Sequence, residues 1–188
     1  MQKITTFLGA ILMTLSVAAQ SHLTFKNIPI DGTITEFADK LQADGFTYSK
    51  KTNDGSWYKG KFAGQTCTIF IRSSSVSHTV YSVYAAFTIR NNWESVISDY
   101  NALKKALTLK YGEPQTKEKF RSYYNYGDGN EFSAMKNGYA DWMSLYSNDL
   151  GKINLYIKEQ STQTGCVIIQ YEDAANSAKM IEELTADL

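Results

Sequence analysis

QTCTIFIRSSSVSHTVYSVYAAFTI, residues 65–89, decides the fold. Cys67, Ile69 and Ile71 alternate with Thr68, Phe70 and Arg72. After a serine-rich loop, Tyr81, Val83 and Ala85 alternate in the same way. A period of two in β-branched and aromatic residues marks strands, and the short gap makes them neighbours in a meander. Such a pair has one face for a core and one for something else.

Working outward, TITEFADKLQA (33–43) precedes this pair and places Ile34, Phe37, Ala38 and Leu41 on one helical stripe. Thr33 and Glu36 have capping-box spacing, and Gly45 stops the helix. FTYSKK, an NDGS turn and WYKGKF then supply two more strands. Downstream, Trp93, Val96, Ile97, Tyr100, Leu103 and Leu107 mark a second helix, which YGEP ends. TKEKFRSYY, YADWMSLYS, GKINLYIKE and GCVIIQYED follow as four strands. Ile69, Ile71 and Val83 match Leu155, Ile157 and Ile169 at an offset of 86, and Trp57 matches Trp142 at 85. The expectation is an α+β fold of two tandem helix-plus-meander repeats, about 23–90 and 91–188. They would form one antiparallel sheet of about eight strands with helices on one face. A closing helix from Ala174 carries Ile181, Leu184 and Leu188 on one side.

The alternation also predicts the face opposite the helices. It would hold Trp57, Lys59 and Lys61, then Phe70 and Arg72, then Tyr84. The second half would add Trp142, Tyr146, Tyr156, Lys158 and Ile168. A merely solvated face would favour Thr, Ser, Glu and Lys. Aromatics interleaved with cations are what binding surfaces use.

The chain opens MQKITTFLGAILMTLSVAAQ. Lys3 precedes an apolar run too short to cross a bilayer, and Val17 and Ala19 suit a cut before Gln20. This reads as a secretory signal peptide, 1–19, ahead of a single domain, 20–188. The cut has no Cys, so the lipoprotein pattern is missing. The expectation is an exported protein, periplasmic or extracellular, with no membrane span. The whole chain has 19 Lys+Arg and 19 Asp+Glu. That balance argues against non-specific nucleic-acid binding, which needs a basic footprint.

Catalytic motifs are sparse. Neither a nucleophile elbow, HExxH, a P-loop nor GxGxxG occurs. His22 and His78 are the two histidines. Cys67 lies mid-strand beside Ile69 and Ile71, which suits a buried thiol better than a nucleophile. Glu94, Asp99, Asp141 and Glu172 are acids that a hydrolytic carboxylate pair could draw on. Cys67 and Cys166 are expected on opposite sheet faces, too far apart for a disulfide unless a bulge intervenes. SYYNYGDGNEF (122–132) reads as a strand end and an enlarged turn. EFSAMKNG after it suits one or two helical turns capped by Asn130 and ended by Gly138. The acids here lack calcium-loop spacing, so neither a metal nor a cofactor is expected.

KGKFAG with TIFIR, VYSVYAAF, LKKAL with KYGEP, GKINLYI and IIQYED resemble a large group of small secreted Bacteroidetes proteins. The likeness covers nearly the whole mature chain and implies membership without an activity. The tandem plan is also similar to the fold of the β-lactamase inhibitor protein, in which two repeats present one sheet face to a partner enzyme. That likeness is architectural alone. The functional expectation is a non-catalytic binding module for a protein or peptide. Its anchors would be Trp57, Phe70, Tyr84, Trp142, Tyr146 and Tyr156, with Lys59, Arg72 and Lys158 steering. Alternatives are a carbohydrate-binding protein helped by Tyr123, Tyr124 and Tyr126, a hydrolase, and a homodimer that buries the face.

Overall fold

The structure is a computed structural model that describes residues 21–52 and 55–186. The expected signal peptide, Asn53 and Asp54 of the NDGS turn, and Leu188 lie outside the described residues.

A short hairpin, β1 (Thr24–Phe25) and β2 (Ile28–Pro29), leads into α1 (Ile34–Ala43). Four strands follow: β3 (Thr47–Thr52), β4 (Gly55–Phe62), β5 (Gln65–Ser73) and β6 (Val80–Phe87). The second half has α2 (Trp93–Tyr111), β7 (Gln115–Phe120), α3 (Glu131–Lys136), β8 (Ala140–Asn148), β9 (Gly151–Glu159) and β10 (Gly165–Asp173). The last helix, α4, spans Ala174–Thr185. The eight long strands form one antiparallel sheet ordered β3-β4-β5-β6-β10-β9-β8-β7. Two four-strand meanders therefore meet where β6 pairs with β10.

Local chemistry accounts for the element ends. At α1, the Glu36 amide donates to Thr33 Oγ1 and the Thr33 amide donates to Glu36 Oε2, a complete capping box. The Asn92 side chain caps α2 by accepting from the Ser95 amide at 2.8 Å. Asn130 behaves differently from the expectation. Its side chain makes no cap bond and instead donates to the Asp128 carbonyl. Glu131 accepts from the Gly127 amide, so a turn carboxylate orders the entry to α3. Gly60 is required by packing: a Cβ there would lie 2.4 Å from the Phe46 ring. Gly151 has φ 152°, and a Cβ would lie 2.1 Å from the Glu172 carbonyl oxygen.

One apolar layer lies between the sheet and its helices. Phe37 and Leu41 of α1, and Val96, Tyr100 and Leu103 of α2, meet Ile69, Ile71, Val83, Leu155 and Ile169 from the strands. Each of these residues is almost fully removed from water, which contributes about 1.5–3 kcal/mol per large side chain. The segment before α1 is part of this layer. Leu23, Phe25 and Ile30 are buried, and His22 bonds Asp173 at 3.1 Å. Asp173 is fully buried and also accepts from the amides of Leu23 (2.8 Å) and Asn176 (3.0 Å). Asn176 then donates to the carbonyls of Ile30 and Val80. These bonds hold the start of α4 at the end of the sheet.

Candidate functional site: the open face of the sheet

Facing is decided by contacts. Tyr58, Ile69, Val83, Ile169, Leu155 and their neighbours point at the helices, so the residues between them point away. Trp57, Phe70 and Tyr84 stand side by side across β4, β5 and β6. Gln170, Asn154 and Leu145 continue the row across β10, β9 and β8. The Trp57 ring stacks on Phe70 with centroids 4.5 Å apart, and Phe70 meets Tyr84 at 6.0 Å. A second row runs Lys59, Thr68, Ala86, Ile168, Tyr156 and Met143. The apolar members of both rows are half-buried, and no helix packs over their centre among the described residues.

Cations border these rows. Lys50 lies 5.3 Å from the Trp57 ring centroid and Arg72 5.5 Å from that of Tyr81. Lys59 and Lys61 extend from β4, Lys152 and Lys158 from β9, and Lys117 and Lys119 from β7. Lys158 pairs with Glu159 at 2.9 Å. Asp141 meets Lys117 at 2.9 Å and also contacts Arg121, and these cations hold its carboxyl below its ordinary value. Burial pushes the Tyr156 hydroxyl up to about 12, so it stays protonated and able to donate.

The structure therefore places Trp57, Phe70, Tyr84, Tyr156, Lys59, Arg72 and Lys158 on the face opposite the helical layer. Trp142 and Tyr146 are corrections, because they point the other way. The Trp142 ring stands at 90° to Trp93 of α2 with centroids 5.3 Å apart. Tyr146 is 3% exposed and donates to the Lys104 carbonyl of α2 at 3.0 Å. Ser144 between them bonds the Tyr100 hydroxyl at 2.7 Å. One residue of register reverses every side chain of a strand. The outward residues of β8 are Met143 and Leu145, and the offset of 86 pairs Trp57 with Met143, not Trp142.

Sequence reasoning missed the contribution of α4. Ser177, Met180, Ile181 and Leu184 line an open groove of about 1020 Å³ with Tyr81, Tyr84 and Gln170. Ile181 and Leu184 are 56% and 60% exposed. The apolar stripe on the closing helix was the available signal. Its direction depends on the turn at Asp173. A second aromatic feature lies in the enlarged turn after β7. Tyr123 stacks on Tyr124 at 4.5 Å, and Tyr124 on Tyr139 at 5.7 Å.

The remaining candidates are scattered. Glu94 accepts from Tyr126, Asp99 pairs with Arg90, Asp141 with Lys117 and Arg121, and Glu172 accepts from Gln170. Cys67 and Cys166 are free and buried, on the helical and open faces respectively. Burial pushes the Cys67 thiol up to about 11. His78 has φ 58° in the loop between β5 and β6. No cluster of three or more metal-ligating side chains occurs among the described residues. No described helix is long and apolar enough to cross a membrane.

No protein-family model, curated protein or solved structure matches this chain.

Proposed function

We propose that this chain is an exported, non-catalytic binding module that engages a protein or peptide partner through the open face of its sheet. The observation that carries the reading is the Trp57–Phe70–Tyr84 row of contacting rings, half-buried and with no helix over its centre among the described residues. An isolated domain has no packing reason to keep three large rings and aliphatic neighbours there. Such patches serve contact, and buried aromatics supply most of the binding free energy in an interface. The α4 groove joins this face at Tyr84 and supplies a recess for a partner side chain. Export rests on the character of residues 1–19.

The test uses residues 20–188 as bait beside the Phe70→Ala/Tyr84→Ala variant, against secreted and periplasmic extracts. Both baits are first shown to be folded by circular dichroism. A partner held by the native bait and lost by the variant supports the reading. A partner held equally by both moves the site elsewhere.

Carbohydrate binding is a second reading, favoured by the Tyr123–Tyr124–Tyr139 stack with Tyr123 74% exposed. Aromatic faces of this kind suit sugar rings. A glycan panel read against Tyr123→Ala separates the readings, because that substitution leaves the Trp57 row untouched.

A further inference from the structure

We infer that the open face takes an acidic polypeptide surface with an apolar or aromatic side chain at its centre. This inference rests on the docking reading above and adds the chemistry of the partner.

The charge on this face is out of proportion to the chain. The whole sequence is balanced, with 19 cations and 19 carboxylates. Yet Lys59, Lys61, Lys117, Lys119, Lys152 and Lys158 point outward from three strands, whereas the sheet's outward carboxylates are Asp141 and Glu172, with Glu159 at the end of β9 pairing Lys158. Asp141 is already held between Lys117 and Arg121. The compensating acids lie elsewhere, among them Glu36 and Asp39 on α1 and Glu94 and Asp99 on α2. The open face thus carries an excess of cations that the whole chain lacks, although α2 on the other side also sets Lys104, Lys105 and Lys110 against its two acids.

The arrangement is that of an interface and not of a solvated surface. Phe70, Tyr84, Ile168, Tyr156 and Met143 form the centre, and the lysines stand around it. Protein interfaces have an apolar core with a polar rim, and rim charges steer the encounter. Eight strands at about 4.8 Å spacing span roughly 34 Å, and seven or eight residues along each strand span roughly 25 Å. The face therefore offers on the order of 800 Å², the share that one partner supplies to a standard interface.

Charge complementarity selects among occupants. A second copy docked face to face would oppose lysines to lysines. A nucleic acid would use a phosphate track with aromatic platforms for successive bases. Here the second half of the face surrounds its one aromatic, Tyr156, with Ile168, Met143 and Leu145, whose branched and thioether groups fit side chains better than base planes. An acidic polypeptide satisfies both the cationic rim and the aliphatic centre.

The experiment is a selection from a random peptide library displayed on yeast, using the full mature chain. The comparison baits are Lys59→Glu/Lys152→Glu/Lys158→Glu and Phe70→Ala/Tyr84→Ala. Those three lysines are solvent-exposed, so the first variant keeps the fold, as circular dichroism checks. The expected result is enrichment of acidic peptides carrying Phe, Trp or Leu. Their association would slow about tenfold on charge reversal or on raising the salt. They would lose binding to the aromatic variant. Enrichment of neutral or basic peptides that need Phe70 and Tyr84 would overturn the acidic inference and keep the docking reading. If no peptide depends on Phe70 and Tyr84, both fail. Binding of a single-stranded oligonucleotide in competition with the selected peptides would overturn the polypeptide assignment.

Discussion

The Tyr146 hydroxyl donates to the Lys104 carbonyl of α2 at 3.0 Å and accepts from Thr108 at 3.1 Å. This pair of bonds fixes which way β8 faces and removes Tyr146 and Trp142 from the binding surface. Tyr146→Phe is expected to cost about 1 kcal/mol, the worth of a buried neutral hydrogen bond. Trp142→Ala is expected to cost about 3 kcal/mol by emptying the contact with Trp93. Urea unfolding reads both. Binding through the open face should be unchanged in Tyr146→Phe, and a loss of binding with full stability would return Tyr146 to the site.

Asp173 joins three segments through a single carboxylate. Asp173→Ala removes the cap of α4 and leaves the buried Leu23 amide without an acceptor. Loss of the cap costs about 1 kcal/mol and the orphaned amide about 1–3 kcal/mol. The expected total is roughly 2–4 kcal/mol, with hydrogen exchange accelerating first in residues 21–30 and in α4. Unchanged protection there would show that the hairpin and α4 are held by packing alone.

Gly60→Ala should destabilise more than an ordinary strand substitution. The new methyl would approach the Phe46 ring to 2.4 Å, and the strand has no free space to yield. Overpacking of this kind costs about 1–3 kcal/mol. Phe46→Leu in the same chain should recover part of that loss. Additive costs in thermal unfolding would mean that the ring is not the obstacle.

Acid should remove the contribution of Asp141. Lys117 and then Arg121 hold its carboxyl below the ordinary 3.8, so the folded state binds its proton more weakly than the unfolded state. Its stabilisation is complete above the unfolded value and disappears as pH falls below 3.8 through the folded value. Asp141→Asn should therefore be less stable than the native chain near neutrality and approach it in acid. A stability difference that persists at the lowest pH would contradict this ion pair.

Alkali should act through Cys67. Its thiol ionises at about 9 when unfolded and near 11 in the core, so the unfolded state loses the proton first. Stability then declines as pH rises from about 9 towards 11. Cys67→Ala should decline less over that interval, although it is less stable at neutral pH because of the cavity. In native protein at pH 8 both buried thiols should resist a thiol reagent, and both should react in urea. Fast labelling of Cys166 alone would show that the open face breathes.

Much of this was legible in the chain. The helical stripes at 34–41 and 93–107, the eight alternating runs and the Thr33–Glu36 box depend on local periodicity and capping, and the structure has them all. The facing of β5, β6, β9 and β10 followed from strands whose inward residues are mainly Ile, Val, Leu or Ala and whose outward residues differ clearly, and that of β4 from the alternation of Trp57, Lys59 and Lys61. β8 reads ADWMSLYSN, with large apolar residues on both parities, so alternation alone gave two equal answers. Sequence held a clue in the offset, 85 for Trp142 against 86 elsewhere, because an odd slip changes face. What decided the matter was tertiary. Tyr100, Lys104 and Thr108 of α2 present a hydroxyl, a carbonyl and another hydroxyl to Ser144 and Tyr146, and polar groups buried in a core must be paired. The position of α4 was tertiary for the same reason. Its apolar stripe is visible in sequence, but its direction is set by Asp173 and Asn176 reaching residues some 150 positions away.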